Sequence, residues 1–422
     1  MSIILFFEFD VNIFREHNKN MKRIFIISLI FMSMISFFAC NLGQESTKIP
    51  SSSTSTSKDS DETPSASTDE NTDKNSDETP SDSTDEVKIS SELVDKSATE
   101  NTVRLMQFLK DTYGKKIISG QMDLTWKDSV DMAEKVYNDT GKYPALMGYD
   151  FMNYTPTASG NGLQQTEEAI AWWQKGGIVT FCWHWRDPSV STGYPEFYLK
   201  SVDFKIPYDS ETDKLVEGDS LTQINNCLDK VAEELSKLQE AGVPVLWRPL
   251  HEAAGSNGNP WFWWGGSGAA AYKALWKYMF NYFTNDKNLH NLIWVCSAQD
   301  KDWYPGDEYV DIVGYDVYVQ NYDSQIDKYN ECHNMTDDPD NNPKMVALTE
   351  NGSIPSPDSL QKDSAWWLYF MTWNDSDATG TDKNNFWEGE YHNTAEHKKE
   401  VYLSDYVLTL DELPDIKNYP LS

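Results

Sequence analysis

Basic residues are scarce in this chain. Lys and Arg total 35 against 67 Asp and Glu, a formal net charge of −32 over 422 residues. Phosphate backbones are bound by clustered Lys and Arg, so this balance excludes a nucleic-acid partner. Cysteine is scarce as well: Cys40, Cys182, Cys227, Cys296 and Cys332. No two of them form a CxxC pair or stand with His at zinc spacing, which argues against a structural metal. Cys182 and Cys296 fall within apolar strand-like runs and read as small buried core residues. Sequence alone leaves a disulfide among the four later cysteines open. The apolar run from Ile24 to Phe38 has fifteen residues, too few for an ordinary membrane span.

That run is better read as an address. Met21-Lys22-Arg23 precedes it and Ala39-Cys40 follows it, the charged start, apolar stretch and small residue of a secretory signal. Ending on Ala-Cys, it resembles a bacterial lipoprotein signal in which Cys40 is acylated. An ordinary signal peptide with an unrelated Cys is the alternative. Residues 1–39 are therefore expected to be a removed signal region starting at Met21, with membrane contact only through a lipidated Cys40. Residues 40–95 are mainly Ser, Thr, Asp, Glu and Pro, and Ser60–Glu70 recurs as Ser76–Glu86 with Asp82 in place of Ala66. Such a segment buries too little apolar surface to offset its chain entropy, so it reads as a disordered linker. Residues 96–422 are left as one folded, monomeric unit.

Within that unit short β-rich runs alternate with helical stretches. The runs are 116–120, 145–151, 177–183, 243–250, 292–297, 310–318, 345–349 and 366–372. Several are continuously apolar, as parallel strands covered on both faces should be. Segments 166–175, 221–241 and 268–284 carry apolar residues at helical spacing. Eight such alternations predict a (β/α)8 TIM barrel, with a doubly wound open sheet as the alternative. Barrel sites lie at the C-terminal ends of strands, and polar or aromatic residues gather there: Asp150, His184, His251-Glu252, Asp316, Tyr318, Glu350 and Trp373.

Two glutamates stand out by position, Glu252 ending the fourth run and Glu350 ending the seventh. Opposed carboxylates at a barrel mouth are suited to glycosidic cleavage, one as proton donor and one as nucleophile. Two rim glutamates paired with Arg or Lys would be the purely structural account. The aromatic content, 16 Trp and 22 Tyr, suits sugar-stacking platforms and a large core equally.

The motifs Trp247-Arg-Pro-Leu-His-Glu252-Ala-Ala-Gly, Trp261-Phe-Trp-Trp-Gly265 and Leu348-Thr-Glu350-Asn-Gly resemble those of family 26 glycoside hydrolases, over roughly residues 110–410. The resemblance implies a retaining, endo-acting cleavage of β-1,4-mannosidic bonds in mannan, galactomannan or glucomannan. It implies Glu252 as acid/base and Glu350 as nucleophile. His184, His251, Trp261 or Trp264, Asp316, Tyr318 and Trp373 match substrate-binding or site-orienting positions. Asn374 is a departure, since some mannanases carry Arg there. The mechanism implies no metal or organic cofactor. Two rival readings are another β-glycanase, acting on mixed-linkage glucan or β-1,3-xylan, and a lipoprotein that binds carbohydrate without cutting it.

Overall fold

The computed structural model describes residues 89–421 apart from 91, 129, 157–161, 191, 257 and 377–381. The expected signal region and almost all of the expected linker lie outside the described residues. The last stretch given to the linker is docked, however. Ser90 N–H donates to Pro343 O and Val94 N–H to the buried Asp311 carboxylate. Few apolar residues mark this stretch, because it attaches through its backbone and through Ile89 and Leu93.

Eight parallel strands close a barrel. They are β1 (Gly120–Met122), β2 (Leu146–Asp150), β3 (Ile178–Cys182), β4 (Val245–Arg248), β5 (Leu292–Cys296), β6 (Ile312–Val317), β7 (Met345–Asn351) and β8 (Phe370–Thr372). They pair in chain order and β8 returns to β1, Thr372 standing opposite Gln121. Every residue of β2, β3, β4, β5 and β7 is buried, which explains why they are largely apolar up to their C-terminal ends. The predicted TIM barrel is present, and the open-sheet alternative is not.

Helices cover it: α1 (Glu100–Thr112), α2 (Met132–Thr140), α3 (Gln165–Gln174), α4 (Asp219–Glu240), α5 (Ala269–Asn281), α6 (Ile326–His333), α7 (Pro357–Asp363) and α8 (Ala395–Tyr402). Thr99, Asp131, Ser356 and Thr394 cap four of their N-termini with side-chain oxygens on free backbone N–H groups. Between β5 and β6 two 3-10 turns, Lys301–Trp303 and Asp307–Tyr309, take the place of a helix.

The outermost strands are displaced from their predicted positions. Ile117–Ile118 pairs with Val407–Leu408 beside the barrel, and the first barrel strand begins only at Gly120. A Cβ at Gly120 would lie 2.4 Å from Phe370 O, so glycine is what lets β1 and β8 close the seam. The last strand starts at Phe370 instead of Trp366, whose neighbour Trp367 is buried and turns its indole N–H to Ser324 O. The four described cysteines are buried free thiols, so no disulfide joins them.

Candidate active site

At the C-terminal mouth of the barrel, β4, β6 and β7 bring three carboxylates together. Glu252, Asp316 and Glu350 each present an oxygen within 4.8 Å of the others. Such a trio could also hold a divalent cation, but Arg248 already bonds two of its members. The guanidinium is buried and donates to Asp316 Oδ2 (3.1 Å), to Ser297 Oγ (3.0 Å) and to Glu350 Oε1. Arg248 is the last residue of β4 and points into the barrel, whereas Trp247 packs outward near Phe283.

The register of β7 decides how Glu350 is aimed. Its pairing with β6 shifts between Leu348 and Glu350, so Thr349 is an extra residue. Strict alternation would send Thr349 and Glu350 to opposite faces; the bulge turns both toward the site. Thr349 Oγ1 donates to Asp316 Oδ1 at 2.5 Å. Room for it comes from Gly314, where a Cβ would lie 2.4 Å from Thr349 Cγ2. Glu350 Oε2 accepts from the Tyr318 hydroxyl at 2.5 Å, so both its oxygens are bonded as acceptors. The Tyr318 phenol is pushed well above its ordinary pKa by burial of the hydroxyl and by the Glu350 and Glu252 charges, and it stays a donor.

Glu252 sits in a strained turn. It and Leu250 have φ of 51° and 52°, the left-handed region that non-glycine residues rarely occupy. Glu252 N–H on Ser297 O (2.7 Å), Ala254 N–H on Ala298 O (3.1 Å) and the Trp264 indole on His251 O (2.9 Å) hold the turn. Glu252 Oε2 accepts from the Trp261 indole N–H at 2.9 Å. Burial, then the Asp316 and Glu350 charges, push the Glu252 carboxyl up to about 9, against the opposing pull of Arg248 and the Trp261 bond. Asp316 is raised to about 7, again by burial first, with Arg248 opposing and Glu350 adding. Glu252 is thus a protonated acid beside a carboxylate bonded on both oxygens.

The remaining sequence candidates divide. His184, two residues past β3, has its Nδ1 2.6 Å from Asp150 Oδ2, and its Nε2 lies 3.2 Å from His251 Nε2. Trp373 is half-buried, its ring centroid 5.8 Å from that of His184. Trp261 is at the wall beside Glu252, but Trp264 has no exposed surface and stacks on Phe262 at 4.4 Å. The structure therefore removes Trp264 from the cleft: its indole N–H is used to fix the turn. Asn374 reaches away to Asp123 O (2.8 Å). Trp183, Trp185, Trp263 and Trp303 are core residues.

Past Glu252 the mouth opens into a cleft of about 610 Å³, lined among others by Trp261, Gln299, Asp300, Tyr315, Lys328 and Glu331. Of these, sequence reasoning named only Trp261 as a site residue: Gln299 and Asp300 lie on the loop after β5, Tyr315 within β6, and Lys328 and Glu331 on α6, where motif spacing is silent. Ser297 and Thr349 were missed too. The only available signal was their place at the end of a predicted strand.

The sequence pattern of glycosyl hydrolase family 26 matches residues 94–412. The chain is 39% identical over 335 residues to the mannan endo-1,4-beta-mannosidase of Thermothelomyces thermophilus, covering 77% of this chain and 64% of that protein. The solved Podospora anserina β-(1,4)-mannanase shares 38% identity at a TM-score of 0.69, over 78% of this chain and 70% of its own. A β-mannanase from a symbiotic protist of the termite Reticulitermes speratus, solved with gluco-manno-oligosaccharide, shares 37% at 0.67, over 78% and 98%. The chain spans between 51% and 64% of the length of three curated relatives it matches.

Proposed function

Starting from the fact that the chain belongs to glycosyl hydrolase family 26, we propose that it is a retaining endo-β-1,4-mannanase. One observation carries the mechanism: Glu252 and Glu350 offer carboxylate oxygens within 4.8 Å across the barrel mouth, one in surroundings that hold a proton and one bonded as an anion. Retaining glycosidases separate their carboxyl groups by about 5 Å, leaving no room for a water between carboxylate and sugar. Glu350 attacks the anomeric carbon while Glu252 gives its proton to the departing oxygen, and a glycosyl ester forms. Glu252, now ionised, deprotonates the water that releases the sugar. Tyr318 and Arg248 keep Glu350 aimed, and Trp261 keeps Glu252 aimed. His184 and Trp373 border the sugar being cleaved, and the cleft past Trp261 takes the leaving chain.

The similarity to mannanases supports mannan as the substrate. The signal-like run before Cys40 supports secretion and attachment to a membrane through that residue, the acidic segment after it acting as the tether. Reducing ends released from mannan, lichenan and β-1,3-xylan test the substrate. Mannan should be cut fastest. Preference for either other glycan would make the protein a different β-glycanase, and binding without cleavage would make it a capture protein.

A further inference from the structure

Asp150 ends β2 outside every role given so far and is 2% exposed. Its Oδ1 accepts the backbone N–H groups of His184 (3.0 Å) and Met152 (2.8 Å). Its Oδ2 lies 2.6 Å from His184 Nδ1. We propose that Asp150 is a positioning residue that sets the proton order of the His184–His251 pair beside Glu252, an inference that rests on the catalytic reading of Glu252.

The order follows from counting donors. A carboxylate only accepts, so His184 Nδ1 carries a proton. His184 Nε2 and His251 Nε2 are 3.2 Å apart and share one hydrogen, which we place on His251. His251 Nδ1 is left bare, and among the described residues it has no partner. The reverse order would place an N–H at that buried, unbonded position, the costlier of the two. Burial, with His184 and Arg248 nearby, holds His251 well below the usual imidazole range and keeps it neutral. In this order neither ring carries a second proton next to Glu252. A cation there would draw the proton off the acid.

Asp150→Asn separates this role from a structural one. The amide oxygen keeps the two backbone N–H groups, which turns the NH2 toward His184 Nδ1. Nδ1 must then accept, Nε2 of His184 gains the proton, and His251 is forced into its Nδ1–H form. A near-isosteric change thus reverses the whole chain. If Asp150 only filled space, Asn would rescue what Ala loses.

Long-range proton–nitrogen spectra of 15N-histidine-labelled protein read the tautomers directly, with His184→Gln and His251→Gln variants assigning the signals. The wild type should show His184 protonated at Nδ1 and His251 at Nε2, and Asp150→Asn should show both exchanged. Its kcat/KM on mannan should fall at least about tenfold, the lower end of what losing the carboxylate behind a working imidazole costs, and no less than for Asp150→Ala. Wild-type spectra with His184 bare at Nδ1 would overturn the proposal even if the Asn variant failed to fold. So would an Asn variant with wild-type tautomers and turnover. A protein inactive on every glycan but showing the stated tautomers would refute the mannanase reading and leave the proton order intact.

Discussion

Replacing Glu350 with Gln removes one of the two negative charges that, after burial, keep the proton on Glu252. Their nearest oxygens are no more than 4.8 Å apart. At an effective dielectric of about 20, unit charges at that distance interact by about 3.5 kcal/mol, or roughly 2.5 pKa units. Each carboxylate spreads its charge over two oxygens, which brings the expectation to about two units. Glu252 should therefore titrate at about 9 in the wild type and at about 7 in Glu350→Gln, where that interaction is gone. The remaining elevation belongs to burial and Asp316, so Asp316→Asn should move Glu252 in the same direction. Side-chain carbon NMR of 13C-glutamate-labelled protein measures the titration without needing activity. The sign carries to catalysis: the acid works only while protonated, so kcat/KM should hold below that pKa and fall as pH rises through it. A Glu252 titration that does not move in Glu350→Gln would refute the electrostatic coupling and, with it, the pairing of the two residues at one bond.

Glu252→Ala should lose about 10²- to 10⁴-fold on mannan but far less on aryl glycosides, whose leaving groups need little protonation, whereas Glu350→Ala should lose both; near-normal turnover in Glu350→Ala would sink the assignment. Proton NMR of early products should show the β-anomer first, and initial α-anomer would mean inversion. Arg248→Met leaves Asp316 and Glu350 buried without their partner and should cost about 3–5 kcal/mol in denaturant unfolding; a loss under about 1 kcal/mol would mean that neither carboxylate depends on the guanidinium.

The barrel was legible because its strands are buried on both faces. Runs such as Ile178–Cys182 and Leu292–Cys296 have no polar face to confuse their reading, and α4 is amphipathic over 22 residues. Legibility failed at the seam. Strand β1 is three residues long, and its glycine is chosen by the approach of Phe370 O from the other end of the chain. The apolar pair Ile117–Ile118 is buried against Val407–Leu408 and looks from sequence like the strand itself. Nothing local distinguishes apolar residues inside the barrel from those packed on its rim.

The same division runs through the site. Glu252 and Glu350 were legible because each follows an apolar run, and strand ends are where a barrel does chemistry. What brings their oxygens within 4.8 Å is not a property of either motif. It depends on left-handed backbone at Leu250 and Glu252, on the extra residue Thr349 in β7, and on the missing side chain of Gly314. Left-handed φ is unfavourable for Leu and Glu alike, so local preference argues against the turn; Ser297 O, Ala298 O and the Trp264 indole impose it from other elements. This is also why Trp264 was misplaced. From the sequence it is one more aromatic beside a catalytic motif, and only the bond to His251 O reveals that it serves the backbone carrying Glu252. Arg248 shows the converse: its sequence position does not name its partners, and the structure bonds its guanidinium to Asp316 and Glu350 within the buried mouth.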